Sequence, residues 1–221
     1  MLNHTIVYID GQNFLHRCAE SLIKSGAIQD QQEITNIDIK HIFKRYINET
    51  YEMRFYGITK IKQRQDLGEE FSNKARKYAD TLRRIRSNLL SQGVELRDVG
   101  QLKIRSSTPC KNCGFIDSQF QEKGVDVGLA TEMVKDACMG LVSHAVLVSS
   151  DIDMLPAIKI VRELGVKVTY VGFKYQINNA LVRQSDSTIE LHRLTVLEAY
   201  VSALNFQNNN KIIDNHQQNK L

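Results

Sequence analysis

A short apolar run, Ala145-Val146-Leu147-Val148, leads into Ser149-Ser150-Asp151-Ile152-Asp153. Helix-spaced apolar positions follow from Met154 to Leu164, Gly165 ends them, and a second apolar run extends from Val166 to Val171. Such runs mark strands buried on both faces, and a helix between two of them is the crossover that makes them parallel. Parallel strands need a sheet covered by helices, so this unit constrains the fold before any other feature is weighed. It also places Asp151 and Asp153 at the carboxyl end of its first strand, the edge where open α/β sheets bind ligands. Two like charges so close repel unless a cation or proton joins them. The unit points to a metal-binding or phosphate-handling site.

The start of the chain repeats the arrangement. Thr5-Ile6-Val7-Tyr8-Ile9 reads as a buried strand and ends in Asp10-Gly11-Gln12-Asn13. An amphipathic helix follows, with Phe14, Leu15, Cys18 and Leu22 on one side, and Gly11 is expected to let the backbone turn sharply. A third acid stands in Lys123-Gly124-Val125-Asp126, in the first turn of a helix whose apolar positions are Leu129, Met133, Val134, Ala137 and Leu141.

Tyr8-Ile9-Asp10-Gly11-Gln12-Asn13, Lys123-Gly124-Val125-Asp126 and Ser149-Ser150-Asp151-Ile152-Asp153-Met154-Leu155-Pro156 resemble, in order and spacing, the three acidic motifs of the NYN-domain (LabA-like) proteins, a branch of the PIN-like nucleases. Leu181 to Ile189 resembles that family's closing segment. The resemblance covers residues 5 to 192, with two departures. Ser150 stands where the family often has glycine, and Ser185 replaces the usual alanine before Asp186. The resemblance implies a PIN-like three-layer α/β sandwich: a central, mostly parallel sheet with helices on both faces. It implies that the motifs converge, making Asp10, Asp126, Asp151 and Asp153 both the catalytic and the metal-binding set. It also implies RNA as the partner.

Carboxylates and retained waters suit magnesium or manganese. Such a cation neutralises a phosphodiester and makes hydroxide available near neutral pH. Asp10 and Asp151 are expected as direct ligands, with Asp126 and Asp153 completing the cluster, and Asn13 and Ser150 supporting it. Each residue also has a plainer role. Ser150 or Asp151 can cap the following helix, and Asn13 the first one. Asp10 suits a turn, Asp126 suits a first helical turn, and Asp186 is read as structural.

Between the motifs, Asn36 to Tyr51 reads as a helix, Arg54 to Ile58 as a strand, and Lys60 to Gly68 as a polar loop. A long helix is expected from Glu69 to Leu90, with Phe71, Ala75, Tyr78, Leu82, Ile85 and Leu89 inward. The strand Val94 to Val99 follows, then an excursion at about 101–122. A last helix, Thr195 to Leu204, carries a capping-box pattern at Thr195 and Glu198. The expected organisation is one domain over 1–204 around about five strands, with a polar, disordered tail at 205–221 rich in Asn and Gln.

Charge is distributed unevenly. Residues 54–112 hold 14 Lys and Arg against 6 Asp and Glu, within a chain whose net charge is +4. The remainder is therefore net acidic. An acidic centre flanked by a basic segment is the distribution expected for a polyanion partner. Lys74, Lys77, Arg83, Arg84 and Arg86 on the long helix are the candidate nucleic-acid contacts, against the plainer reading of a solvated face. Cys110 and Cys113 have the spacing of half a structural zinc site. A second copy of the chain, which would make a homo-oligomer, or a nearby histidine could supply the missing ligands; the plainer readings are a turn or a redox-active pair. Cys18 and Cys138 are expected in the core.

With 42% hydrophobic and 24% charged residues, no apolar run of membrane-spanning length and no signal-peptide pattern, the expected location is the cytoplasm and no membrane partner is expected. A nucleotide P-loop, a zinc H-E-x-x-H helix and a serine elbow are all missing. The leading reading is a metal-dependent endoribonuclease. Two others stand beside it: a non-catalytic RNA-binding or regulatory module on a nuclease fold, and a metal-dependent phosphomonoesterase. The D-x-D-x-[TV] phosphatase pattern is unmet, because Leu155 takes its fifth position.

Overall fold

The computed structural model describes residues 4–57, 69–106, 112–113 and 118–218. Its strands are β1 (Thr5–Asp10), β2 (Tyr51–Tyr56), β3 (Glu95–Arg97), β4 (Gln101–Ser106), β5 (Ser118–Lys123), β6 (His144–Val148), β7 (Lys167–Phe173) and β8 (Ser187–Leu191). Its helices are α1 (Gly11–Lys24), α2 (Ile39–Lys44), α3 (Glu69–Ser91), α4 (Val125–Cys138), α5 (Leu155–Glu163), α6 (Asn179–Gln184) and α7 (Arg193–Gln218). Six strands form one sheet in the order β3-β2-β1-β6-β7-β8, and every neighbouring pair is parallel. The remaining two, β4 and β5, form a separate antiparallel hairpin.

Alternation along β1 explains the layers. Val7 and Ile9 face one core, with Phe14 and Leu22 of α1, Phe43 of α2, Leu89 of α3 and Val196 of α7. Ile6 and Tyr8 face the other, with Leu129 and Met133 of α4, Ile158 and Val161 of α5, and Leu181 of α6. Both faces of the strand are covered, so its sequence is apolar without a break. Each such side chain contributes roughly 1.5–3 kcal/mol by burial. The result is the expected three-layer α/β sandwich, with six strands rather than about five in the central sheet.

One polar knot lies inside the second layer. Arg54 of β2 and Asp136 of α4, only 8% and 4% exposed, pair at 2.5 Å, and the Tyr8 hydroxyl donates to the same carboxylate at 2.8 Å. Burial and the neighbouring Asp136 raise the Tyr8 phenol far above its ordinary range. The knot ties β1, β2 and α4 together beneath the site.

Several expected boundaries move. The helix expected over Asn36 to Tyr51 shrinks to α2, capped by Asp38. Ile37 and Ile47 are buried without being helical, which is why burial imitated a helical period. The Gln92 side chain accepts from the Ile39 amide at 2.8 Å and donates to the Ile37 carbonyl at 2.7 Å. It thus serves backbone groups that a longer helix would have paired internally. β2 begins three residues before Arg54 and stops at Tyr56. The excursion is the β4–β5 hairpin. α7 begins at Arg193, so Thr195 is no cap: its hydroxyl lies 3.4 Å from that of Tyr46, and Glu198 pairs with Arg45. The helix also continues past Leu204 to Gln218, in place of the expected disordered tail. No glycine or proline interrupts those residues, and Asn and Gln only weakly disfavour helix. The loop expected at Lys60 to Gly68 lies outside the described residues.

Candidate metal centre

Three chain segments meet at the carboxyl edge of the sheet. β1 ends in Asp10, whose Oδ1 accepts the Asn13 amide at 3.3 Å and so caps α1. Gly11 is required here for space rather than for a left-handed turn. A Cβ on it would lie 2.1 Å from the Phe55 ring and 2.5 Å from the Tyr56 carbonyl. Next to β1, β6 delivers Ser149, Ser150 and Asp151. Asp151 caps the short turn that follows, accepting the Asp153 amide at 2.9 Å. The β4–β5 hairpin hands over to α4 through Gly124, at φ 81°, and sets Asp126 in the first helical turn without a capping side chain.

Asp126, Asp151 and Asp153 each offer a carboxylate oxygen, and these oxygens lie within 4.8 Å of one another. Asp126 and Asp151 are half-buried and Asp153 is exposed. Among the described residues this is the only such cluster of metal-ligating side chains. Its donors are all hard oxygens, the set that magnesium or manganese prefers and zinc seldom uses alone.

Asp10 stands beside this trio rather than in it. It shares with Asp126 and Asp151 a cleft of about 620 Å³, walled by Gln12, Asn13, His16 and Arg17 of α1 and by Glu122 to Val127. Burial raises its carboxyl above the usual range. The Asn13 amide and Ser149 hydroxyl oppose that shift, and the charges of Asp151 and Asp126 add to it. The expected division, with Asp10 and Asp151 as direct ligands, therefore differs from the geometry, which groups Asp151 with Asp126 and Asp153. Asp10 accepts the Asn13 amide with one oxygen and the Ser149 hydroxyl, at 3.1 Å, with the other.

Neither Ser150 nor Asp151 caps α5, which starts after Met154 without a capping side chain; Asp151 caps only the short turn before it. The Ser150 hydroxyl instead bonds the Asn13 side chain, with oxygen–nitrogen and oxygen–oxygen distances of 2.8 and 3.0 Å. This ties the first motif to the third. Ser149 reinforces the tie, since its oxygen also accepts the Asp151 amide at 3.1 Å. Asp186 lies away from the cleft, held by Arg162 and by the Val168 amide, and its carboxyl is lowered chiefly by Arg162.

The candidate contacts on α3 are mixed. Arg86 pairs with Asp98 through two nitrogens, at 2.5 and 3.1 Å, and Arg83 pairs with Asp80 at 2.9 Å. Lys77 is exposed, and Arg84 lines a separate groove with Lys40 and Lys44. The side chain of Lys74 lies outside the described residues, as does Cys110. Cys113 is free and exposed, and Cys18 is buried as expected. Cys138 is exposed, contrary to expectation, because it closes α4 where the helix leaves the core. No helix among the described residues is long and apolar enough to cross a membrane.

Sequence reasoning passed over Ser149, His16, Arg17 and Lys123, all at or beside the cleft. Arg17 was within reach, since it falls one helical turn after Asn13. Lys123 was noted only as part of a motif.

The family model described as the NYN domain matches residues 4–192. Among curated proteins, the chain is 24% identical over 204 residues to 6-hydroxy-3-succinoylpyridine 3-monooxygenase HspA of Pseudomonas putida, covering 81% of this chain and 64% of that one. It is 31% identical over 104 residues to the uncharacterized protein y4oD of Sinorhizobium fredii, covering 46% of this chain and 45% of that one. The chain thus spans less than two thirds of the length of either relative. Among solved structures, VPA0982 of Vibrio parahaemolyticus, a protein of unknown function, aligns with a TM-score of 0.50 at 18% identity. That alignment covers 86% of this chain and 93% of the other, and it speaks to the fold alone.

Proposed function

The chain belongs to the NYN-domain family, and from that premise we propose that it is an endoribonuclease that hydrolyses RNA phosphodiester bonds with the help of magnesium or manganese. The observation that carries this reading is the convergence of Asp126, Asp151 and Asp153 within 4.8 Å at the carboxyl edge of a parallel sheet. A divalent cation in such a site supplies charge neutralisation of the phosphate and a water acidic enough to attack near neutral pH. The protein's own part is positional. Asp126, Asp151 and Asp153 would hold the ion. Asp10, fixed by the Asn13 amide and the Ser149 hydroxyl, would keep its carboxylate at the wall of the same cleft, in reach of a water brought by the ion. The Asn13–Ser150 pair keeps the two strand ends at a constant separation. Under this reading the protein works in the cytoplasm, and a zinc at Cys110 and Cys113 would serve structure rather than cleavage.

The test is an assay on an internally labelled RNA and on a phosphomonoester, each with and without Mn²⁺. Internal cleavage of RNA that requires the cation is expected. Hydrolysis of the monoester alone would favour a phosphatase, and RNA binding without cleavage a regulatory module. Conversion of 6-hydroxy-3-succinoylpyridine without RNA cleavage would set the reading aside in favour of the activity named for the Pseudomonas relative.

A further inference from the structure

A centre of four aspartates repels the very strand it has to cut, so phosphates need cations along the approach. Carboxylates already engage Arg83 and Arg86 on α3. A different set of cations stands beside the cleft. Asn13, Arg17, Glu20 and Lys24 fall three or four residues apart, on one stripe of α1. The stripe starts in the centre, where Asn13 bonds Ser150, and Arg17 lines the cleft itself. It leads to Tyr175, whose hydroxyl donates to the Arg17 carbonyl at 3.0 Å and to Glu20 at 3.2 Å. Over the Tyr175 ring stand the Lys24 ammonium, 4.9 Å from the centroid, and the Arg193 guanidinium, 5.3 Å from it. Tyr175 follows β7 and Arg193 follows β8, so both leave the sheet at the edge that carries the acids.

The kind of contact matters. A carboxylate partner cancels a cation's charge, whereas an aromatic face orients it and leaves the charge available. Among the described residues, Lys24 and Arg193 have the ring and no carboxylate within ion-pair reach. Arg17 pairs with Glu20 at 2.9 Å, so by the same argument it borders the cleft without a free charge, and Lys24 and Arg193 are the cations of this path that keep theirs.

We propose that single-stranded RNA leaves the acidic cleft along α1, its phosphates passing Arg17 and then the Lys24–Arg193 pair held by Tyr175. This path rests on the ribonuclease reading and names its substrate track. Polyanion affinity for a single strand falls with salt by a slope of about 0.7 per phosphate contact. Binding of a fluorescent single-stranded oligouridylate to the Asp151→Asn protein is therefore titrated across salt concentrations. Replacing Lys24 and Arg193 together with Ala should weaken binding several-fold and reduce the slope by about 1.4, two contacts' worth. Lys24→Arg with Arg193→Lys should restore most of it, and Tyr175→Leu should lose it in part.

An unchanged affinity and slope in the double Ala variant overturns the path. So does equal loss from the charge-conserving pair, or loss confined to an Arg83, Arg84 and Arg86 variant. Cation-dependent cleavage by the unsubstituted protein is scored separately, so failure of the track and failure of the ribonuclease reading give different results.

Discussion

At Asp151 one carboxylate serves backbone and centre together: it accepts the Asp153 amide and still offers an oxygen to the cluster. Asp151→Asn keeps the shape and the amide's acceptor but removes the charge. Cleavage should fall by orders of magnitude while the melting temperature in the absence of cation stays within a few degrees. Activity and thermal melting on the same preparation check this, and an active variant would remove Asp151 from the mechanism. Asp10 carries the opposite expectation for stability. Its folded-state carboxyl lies above the ordinary value, so the fold is favoured by its protonated form. That favourable term is complete below the ordinary carboxyl value and is lost as pH rises through the folded one. Asp10→Asn, which still caps α1, should therefore melt higher than the unsubstituted protein at neutral pH without cation. The gain should vanish in acid below the ordinary carboxyl range, and an equal gain at both pH values would contradict the burial argument. Asp10 and Asp151 were legible as strand-end residues, because a charge that closes an apolar run marks where the strand leaves the core. Asp10's bond to the Ser149 hydroxyl was not, since that residue is brought from 139 positions away.

At the level of elements, the Arg54–Asp136 pair is the joint on which α4, and with it Asp126, is seated. Asp136→Ala removes the most buried of the carboxylates around Arg54 and the acceptor of the Tyr8 hydroxyl, but leaves Glu52, Glu95 and Glu132 beside the guanidinium, so the about 3–5 kcal/mol of a buried pair broken outright is an upper bound. Urea denaturation should show a loss below that bound and above the roughly 1 kcal/mol expected for Tyr8→Phe, which removes only one donor. A loss for Asp136→Ala no larger than for Tyr8→Phe would mean that the pair is solvated after all. Elements with an uninterrupted period were readable: α3 was expected to end at Leu90 and ends at Ser91. α2 was not readable, because Ile37 and Ile47 are buried from loops and extend the apolar period past the helix. The continuation of α7 was obscured for a different reason, since a polar Asn-rich stretch carries neither a packing face nor a stop signal.

For the molecule as a whole, the centre is a junction between two halves of the chain, and under the metal-dependent reading its charge is a burden that a cation would relieve. Mass action then predicts stabilisation by Mn²⁺: about 2.7 kcal/mol at a concentration a hundredfold above the dissociation constant. Thermal melting against Mn²⁺ should rise accordingly, and the rise should disappear in Asp151→Asn. A shift of equal size in that variant would place the ion elsewhere. The sandwich was legible because the strand–helix–strand unit and the β1 pattern both demand a covered parallel sheet. The cations around Tyr175 were not, since residues 17, 24 and 193 become neighbours only when α7 packs back on α1.

The strand order carries one more consequence, for how the protein is made. β1 leaves the ribosome long before β6, yet it sits in the middle of the sheet, between β2 and β6. Until His144–Val148 has been synthesised, one side of Thr5–Asp10 has no partner, and an apolar strand with an open side invites pairing with other chains. Pairing across so long a stretch of sequence is also slow. Asp10 and Asp151 flank that same late seam, so a nascent or truncated chain ending before β6 contains no complete centre. Such a chain would be prone to aggregate before its centre could form.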